Sequence, residues 1–149
     1  MKKEKLSYLL FVFLLLNVIT SCTKDESSSS DKADPSPVIN TVSQGTWKIT
    51  FYEDSGTDET SSFEGYTFTF GSSNVVTATN GSNTYTGTWS VTNNNSNSLH
   101  FNISFNSPVL FSSELNDDWD IITYSATVLK LVDNSGLSNE KDYLTFLKN

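Results

Sequence analysis

Cysteine, histidine and positive charge are all scarce in this chain of 149 residues: Cys22 is the single cysteine and His100 the single histidine. One cysteine excludes an internal disulfide framework, and one histidine excludes a multi-histidine metal centre. No glycine-rich loop of the kind that cradles phosphates is present. Lys and Arg together number 9 against 17 Asp and Glu, a formal net charge of −8. Without Lys2, Lys3, Glu4 and Lys5 the balance becomes 6 against 16. Such a chain has no basic footprint for phosphates, so nucleic acid is not expected as a partner. The acidity argues instead for solubility and leaves room for bound cations.

The first segment is of a different kind. Lys2, Lys3 and Lys5 precede Leu6–Ile19, apolar except for Ser7 and Asn17, and the small residues Thr20 and Ser21 follow. That charge and length pattern fits an export signal rather than a membrane span. The run Ile19-Thr20-Ser21-Cys22 resembles the lipobox of bacterial lipoproteins. The resemblance implies a signal peptide over residues 1–21, cleavage before Cys22 and acylation of its thiol with palmitate-type chains. Lipidation would also dispose of a reactive free thiol in an oxidising compartment. Two or more chains anchor stably, each buried methylene contributing about 0.8 kcal/mol.

From Cys22 to Val42 the chain holds Ser27–Ser30 in a row, Pro35 and Pro37, and almost no large apolar side chain. Such a segment buries too little to offset its ordering entropy and is expected to be a disordered tether over 22–42. Lys24-Asp25-Glu26 resembles the acidic signal that sends many Bacteroidota lipoproteins to the outer face of the outer membrane. The expected location is therefore the outer membrane, lipid-anchored and facing the exterior.

The remaining residues, 43–149, suffice for one small domain. Apolar residues alternate there, and Thr, Val, Tyr, Phe and Trp dominate, which predicts short strands over Thr46–Tyr52, Gly65–Phe70, Asn74–Thr79, Thr84–Val91, Ser98–Phe105, Asp118–Tyr124, Thr127–Val132 and Asp142–Leu147. Eight closely spaced strands point to an all-β fold, a small antiparallel barrel or sandwich. The alternation places Trp47, Ile49 and Phe51 on one face of the first strand, with Lys48, Thr50 and Tyr52 opposite. Tyr66, Phe68 and Phe70 share a face, as do Tyr85, Gly87, Trp89 and Val91, and Leu99, Phe101, Ile103 and Phe105. Asn80-Gly81 and Asp133-Asn134-Ser135-Gly136 are turn chemistry.

The rhythm breaks at Asn106–Asp117, between the fifth and sixth of these strands. Pro108 can start a helical turn there, and Ser112 or Ser113 can cap a short segment through Leu115. Across an open barrel end, Val109, Leu110, Phe111 and Leu115 would form a plug.

Gly45-Thr46-Trp47-Lys48-Ile49, Gly65-Tyr66-Thr67-Phe68-Thr69-Phe70, Gly87-Thr88-Trp89-Ser90-Val91 and Tyr143-Leu144-Thr145-Phe146 resemble the lipocalin-like domains of Bacteroidota lipoproteins. The resemblance covers nearly all of Gly45–Asn149, and the opening Gly-x-Trp is a lipocalin hallmark. It implies an up-and-down barrel of about eight strands whose tryptophan packs at the closed end. It also implies a noncatalytic binding module for a small apolar or amphipathic ligand, with Phe68, Trp89, Phe101 and Trp119 as cavity-wall candidates. The chain is short for a lipocalin and lacks the long carboxy-terminal helix. A filled barrel serving as a structural or protein-interaction component of the envelope is the alternative, since eight strands leave room either for packed side chains or for one small ligand.

Enzyme chemistry has little to stand on. His100 falls opposite the inferred core, and no serine has a base and an orienting acid in a distinctive setting. A hydrolase is the weakest of the three readings, and no cofactor is expected. Asp117, Asp118 and Asp120 beside Trp119 are a candidate calcium or sugar site, although their spacing does not match the twelve-residue calcium loop. Glu53, Asp54, Asp58, Glu59 and Glu64 lie in a loop at the barrel mouth, where a lid over a cavity would sit.

Overall fold

The computed structural model describes residues 32–94, 98–134 and 140–149. Among them lie the strands β1 (Trp47–Asp54), β2 (Thr57–Asp58), β3 (Thr67–Phe70), β4 (Val75–Thr79), β5 (Thr84–Asn93), β6 (Leu99–Phe105), β7 (Asp117–Tyr124), β8 (Val128–Asp133) and β9 (Asp142–Lys148). Two short helices join them, α1 (Ser36–Val42) before β1 and α2 (Val109–Glu114) between β6 and β7. β2 is a two-residue arm folded back on β1. The other eight strands follow one another around an antiparallel barrel, and β1 closes it against β9 from Trp47↔Lys148 to Glu53↔Tyr143. Closure pairs every one of these eight strands on both sides, although β1 and β3 meet at one position only. All eight expected strands are present, and the expected helical turn is α2.

The inward residues are those the alternation names, with one exception. Trp47 and Ile49 are buried, but a bulge between Ile49 and Phe51 shifts the register against β9. Tyr52 then becomes the next inward side chain, 2% exposed, and Phe51 is only half-buried. The expectation that Phe51 shares the face of Trp47 and Ile49 is thus corrected, because one extra residue reverses the pleat beyond it. Gly87 marks a close approach: a Cβ there would lie 2.3 Å from the Ser104 carbonyl oxygen. Aromatic rings fill the space between the strands. Phe70 lies edge-on to Trp89 (5.4 Å), Phe101 (5.2 Å) and Phe146 (5.5 Å), and Phe68 lies edge-on to Phe146 (5.4 Å). Each such pair adds about 0.5–1.5 kcal/mol beyond its buried area.

Both ends of the barrel are corked. At the lower end, where β1 begins, α1 buries Val38 and Val42, and Trp47 Nε1 donates to the Val42 carbonyl at 2.9 Å. Asn93 Nδ2 donates to the Ala33 carbonyl at 2.6 Å, tying the chain before α1 to the end of β5. The expectation of disorder as far as Val42 is corrected: Ser36–Val42 is helix α1, and the folded unit begins before residue 43. Pro35 and Pro37 do not prevent the helix, since they stand at its cap and first turn, where a missing N–H breaks no helical bond. Residues 1–31, with Cys22 and the signal and lipobox readings, lie outside the described residues.

At the upper end α2 crosses the opening. Pro108 precedes its first residue, and the expected caps Ser112 and Ser113 lie inside the helix, donating to the Val109 carbonyl at 3.1 and 2.8 Å. Of the expected plug, Phe111 and Leu115 are fully buried and Leu110 packs against the core, whereas Val109 is 81% exposed. Asn116 closes the strap at its base by acting as a surrogate strand: its Nδ2 donates to the Phe105 carbonyl (2.9 Å) and its Oδ1 accepts from the Phe105 N–H (2.6 Å).

Candidate functional site

The four wall candidates line the interior as expected, and what they face is other rings. Phe68 meets Phe111 at 5.8 Å, Trp89 meets Phe101 at 5.7 Å, and all four, Trp119 included, are buried. Trp89 donates from Nε1 to the Gly71 carbonyl and Trp119 to that of Leu115, so both indole N–H groups are satisfied within the fold. The upper end extends this cluster. Phe111 contacts the rings of Phe63, Tyr66, Phe68, Tyr85 and Phe105 at centroid distances of 4.9–6.1 Å. Tyr52 Oη donates to Glu114 at 2.8 Å and latches α2 to β1. Burial first, and the Glu114 carboxylate beside it, hold the Tyr52 phenol well above its ordinary range.

The wall itself opens in one sector. β1 and β3 pair at a single position, Trp47↔Phe68. Above it a short 3-10 turn, Thr60–Phe63, takes the place of a ladder: the Tyr52 N–H donates to Thr60 Oγ1 (2.9 Å), and the Glu59 N–H donates to the Tyr52 carbonyl (2.9 Å). The strands splay and leave a groove of about 380 Å³. Ile49 and Phe63 supply its apolar lining, and Lys48, Thr50, Thr60 and Glu64 give it charges and hydroxyls of both kinds. Its size is within the range of small-ligand sites, about 300–1,000 Å³. Of the acidic mouth loop, Glu64 borders this groove, while Glu53 and Asp54 are held in the β1–β2 arm with Asp58. Sequence reading missed Lys48, Thr50 and Thr60 as site residues. The available signal was the adjacent pair Phe51-Tyr52, two aromatics that cannot both point inward without a bulge.

The three aspartates do not converge. Asp118 and Asp120 lie on the outer surface beside His100, whose Nδ1 is 3.7 Å from Asp118 Oδ2 and whose Nε2 is 3.5 Å from Asp120 Oδ1. Asp117 starts β7 at the upper end, where burial first, with repulsion from Asp133 and Asp118, pushes its carboxyl up to about 6. Among the described residues no three His, Cys, Asp or Glu side chains are grouped to hold a metal ion. His100 is on the outer face, as the alternation requires.

An up-and-down antiparallel barrel closed on itself and corked at both ends is a lipocalin-like fold, generally a noncatalytic binding fold. Residues 44–131 match the model of the lipocalin-like domain, and the chain belongs to that family. The fold is also similar to a crystal structure of a DUF4847 family protein from Bacteroides vulgatus ATCC 8482. The TM-score is 0.51 at 18% identity, over 75% of this chain and 97% of that one. At that identity the likeness speaks for the fold alone. No curated protein matches the chain.

Proposed function

We propose that this protein is a noncatalytic binding module, held at the outer membrane through lipidated Cys22, that takes a small amphipathic ligand in the groove between β1 and β3. The groove carries this reading. It is the place where the barrel wall is unpaired, it has the volume of a ligand site, and it sets apolar side chains beside Lys48 and Glu64. Affinity would come from apolar area removed from water, about 25 cal/mol per Å², with the charged rim fixing orientation. The ring-filled axis favours a second reading, a solid barrel that works through its exterior within the cell envelope.

A titration of fatty acids and other small amphiphiles, read by nuclear magnetic resonance shifts around the groove, separates the two. Saturation at one site, lost when Thr50→Trp fills the groove, is expected; no saturable shift across a broad panel would sink the binding reading. Mass spectrometry of the amino terminus tests the anchor, and an unacylated Cys22 in protein from the cell envelope would remove it.

A further inference from the structure

The groove between β1 and β3 has a backbone edge as well as side chains. Along an antiparallel strand the N–H and C=O groups of successive residues turn to alternate sides. The Asn149 N–H reaches the Thr46 carbonyl on the β9 side, and Lys48 stands opposite Leu147 there, so Trp47 and Ile49 turn their backbone groups toward β3. Trp47 finds Phe68. The next rung in that register, Ile49 with Tyr66, is not formed, and the Tyr66 N–H goes instead to the Phe63 carbonyl at 3.2 Å. Beyond the bulge, Tyr52 has replaced its strand partner with Thr60 Oγ1 and the Glu59 N–H. Ile49 has no such substitute: among the described residues neither its N–H nor its C=O meets a partner across the gap, although the residue is only 7% exposed. Backbone groups so enclosed nearly always have a partner.

We propose that the ligand of this groove is a zwitterionic dipeptide with apolar side chains, bound as a two-residue strand that completes the missing rung. The inference rests on the reading of the groove as the ligand site and names the class of ligand. The peptide N–H donates to the Ile49 carbonyl, and the carboxylate accepts from the Ile49 N–H beside the Lys48 ammonium. At the other end the ligand's ammonium turns to Glu64. Ile49 and Phe63 receive the apolar side chains. This is strand addition, in which main-chain bonds supply affinity and flanking pockets select side chains. Size sets the length. With a rise of about 3.3 Å, a strand spacing of about 4.8 Å and a layer thickness of about 10 Å, one strand residue fills about 160 Å³. The groove, at about 380 Å³, holds about two. The Trp47↔Phe68 rung shuts the gap below and the Thr60–Phe63 turn shuts it above, so a longer chain cannot run through. Charge separates this ligand from a fatty acid. The rim carries one cation and one anion, Lys48 and Glu64, both exposed. A fatty acid offers nothing to Glu64 and is repelled by it, whereas a dipeptide uses both.

Leucyl-leucine titrated into the isotope-labelled chain from Cys22 to Asn149, followed by nuclear magnetic resonance, tests this. Saturation is expected, with the Ile49 amide proton moving downfield and exchanging with solvent about five-fold more slowly. The ester analogue, in which oxygen replaces the peptide N–H, should bind about ten-fold more weakly, because the Ile49 carbonyl is left without its donor. Acetylating the amine or amidating the carboxylate should weaken binding about three-fold each, and these losses should disappear in Glu64→Gln and Lys48→Gln respectively. Both variants change exposed side chains and leave the barrel intact. Equal binding of the ester, saturation that leaves the Ile49 amide unmoved, or cap losses that persist in the variants would overturn the proposal. If fatty acids saturate the groove and dipeptides do not, the dipeptide is excluded while the groove stands as a ligand site. If neither binds, both readings fall.

Discussion

The two corks of the barrel do the same job with opposite chemistry. At the lower end, α1 contributes two valines, and the decisive contacts are polar ones to backbone: Trp47 Nε1 on the Val42 carbonyl and Asn93 on that of Ala33. The ammonium of Lys148 sits 5.0 Å from the centroid of the Trp47 ring and covers it from outside. At the upper end, one side chain of α2, Phe111, is surrounded by five rings, and the polar latch from Tyr52 to Glu114 is secondary. A seal made of rings depends on one residue's volume, whereas a seal made of backbone bonds depends on directed donors.

The largest effect expected from this difference is at Phe111. Phe111→Ala should cost about 3–5 kcal/mol in urea unfolding, because it empties the centre of a ring cluster that cannot collapse around the gap. Trp47→Phe keeps an aromatic in the lower end but strips the buried Val42 carbonyl of its donor, an expected loss of about 1–3 kcal/mol. If Trp47→Phe proved the more damaging of the two, the contrast between a volume seal and a directed seal would be wrong.

The upper cork was far more legible than the lower one, and the reason is physical. Val109-Leu110-Phe111 and Leu115 interrupt a strand rhythm with apolar residues after a proline, so a plug can be read directly. Pro35 to Val42 holds two prolines, a serine and an asparagine, and nothing local says that Val38 and Val42 find a barrel end to bury against. The strands were legible for the same reason as the plug, since period-two alternation survives wherever one face is buried. It failed at Phe51 and Tyr52, where a bulge, signalled only by two adjacent aromatics, reverses the pleat and creates the Tyr52 latch. The groove between β1 and β3 was hidden with it, because a missing strand pair leaves no mark on composition. The four wall candidates were correctly placed inside, but alternation reports which way a side chain points and not whether space remains beyond it.

The latch should matter less than either seal. Tyr52→Phe removes the bond to Glu114, which keeps Ser113 Oγ at 2.8 Å, so about 1 kcal/mol is expected at pH 7. Its pH dependence identifies the source. The folded-state phenol is held above its ordinary range, so its contribution is complete below pH 10 and is lost as pH rises, when the unfolded chain ionises first. The gap between wild type and Tyr52→Phe should therefore narrow above pH 10; a constant gap to pH 11 would place the effect in packing instead.

The smallest effect has the opposite sign. The upper end carries a charge burden that the lower cork, with only the exposed Asp34 between Lys32 and Thr46, does not. Asp117 has its carboxyl raised to about 6, mainly by burial. A raised carboxyl favours the fold fully below about pH 4, and that contribution is lost as pH climbs to 6, where the unfolded chain gives up its proton more readily. At neutral pH the charge thus works against the fold. Asp117→Asn retains an oxygen for the Asp118 N–H, 2.7 Å from Asp117 Oδ1 in the wild type. Because the group is only partly buried, solvent screening limits the expected gain at pH 7.5 to about 1 kcal/mol or less. Urea midpoints at pH 7.5 and 3.5 check it: the gain should disappear at the lower pH, where both states of the wild type are protonated. An equal gain at both would mean that relief of local packing, and not of charge, stabilises the variant. The upper seal would then differ from the lower in its rings alone.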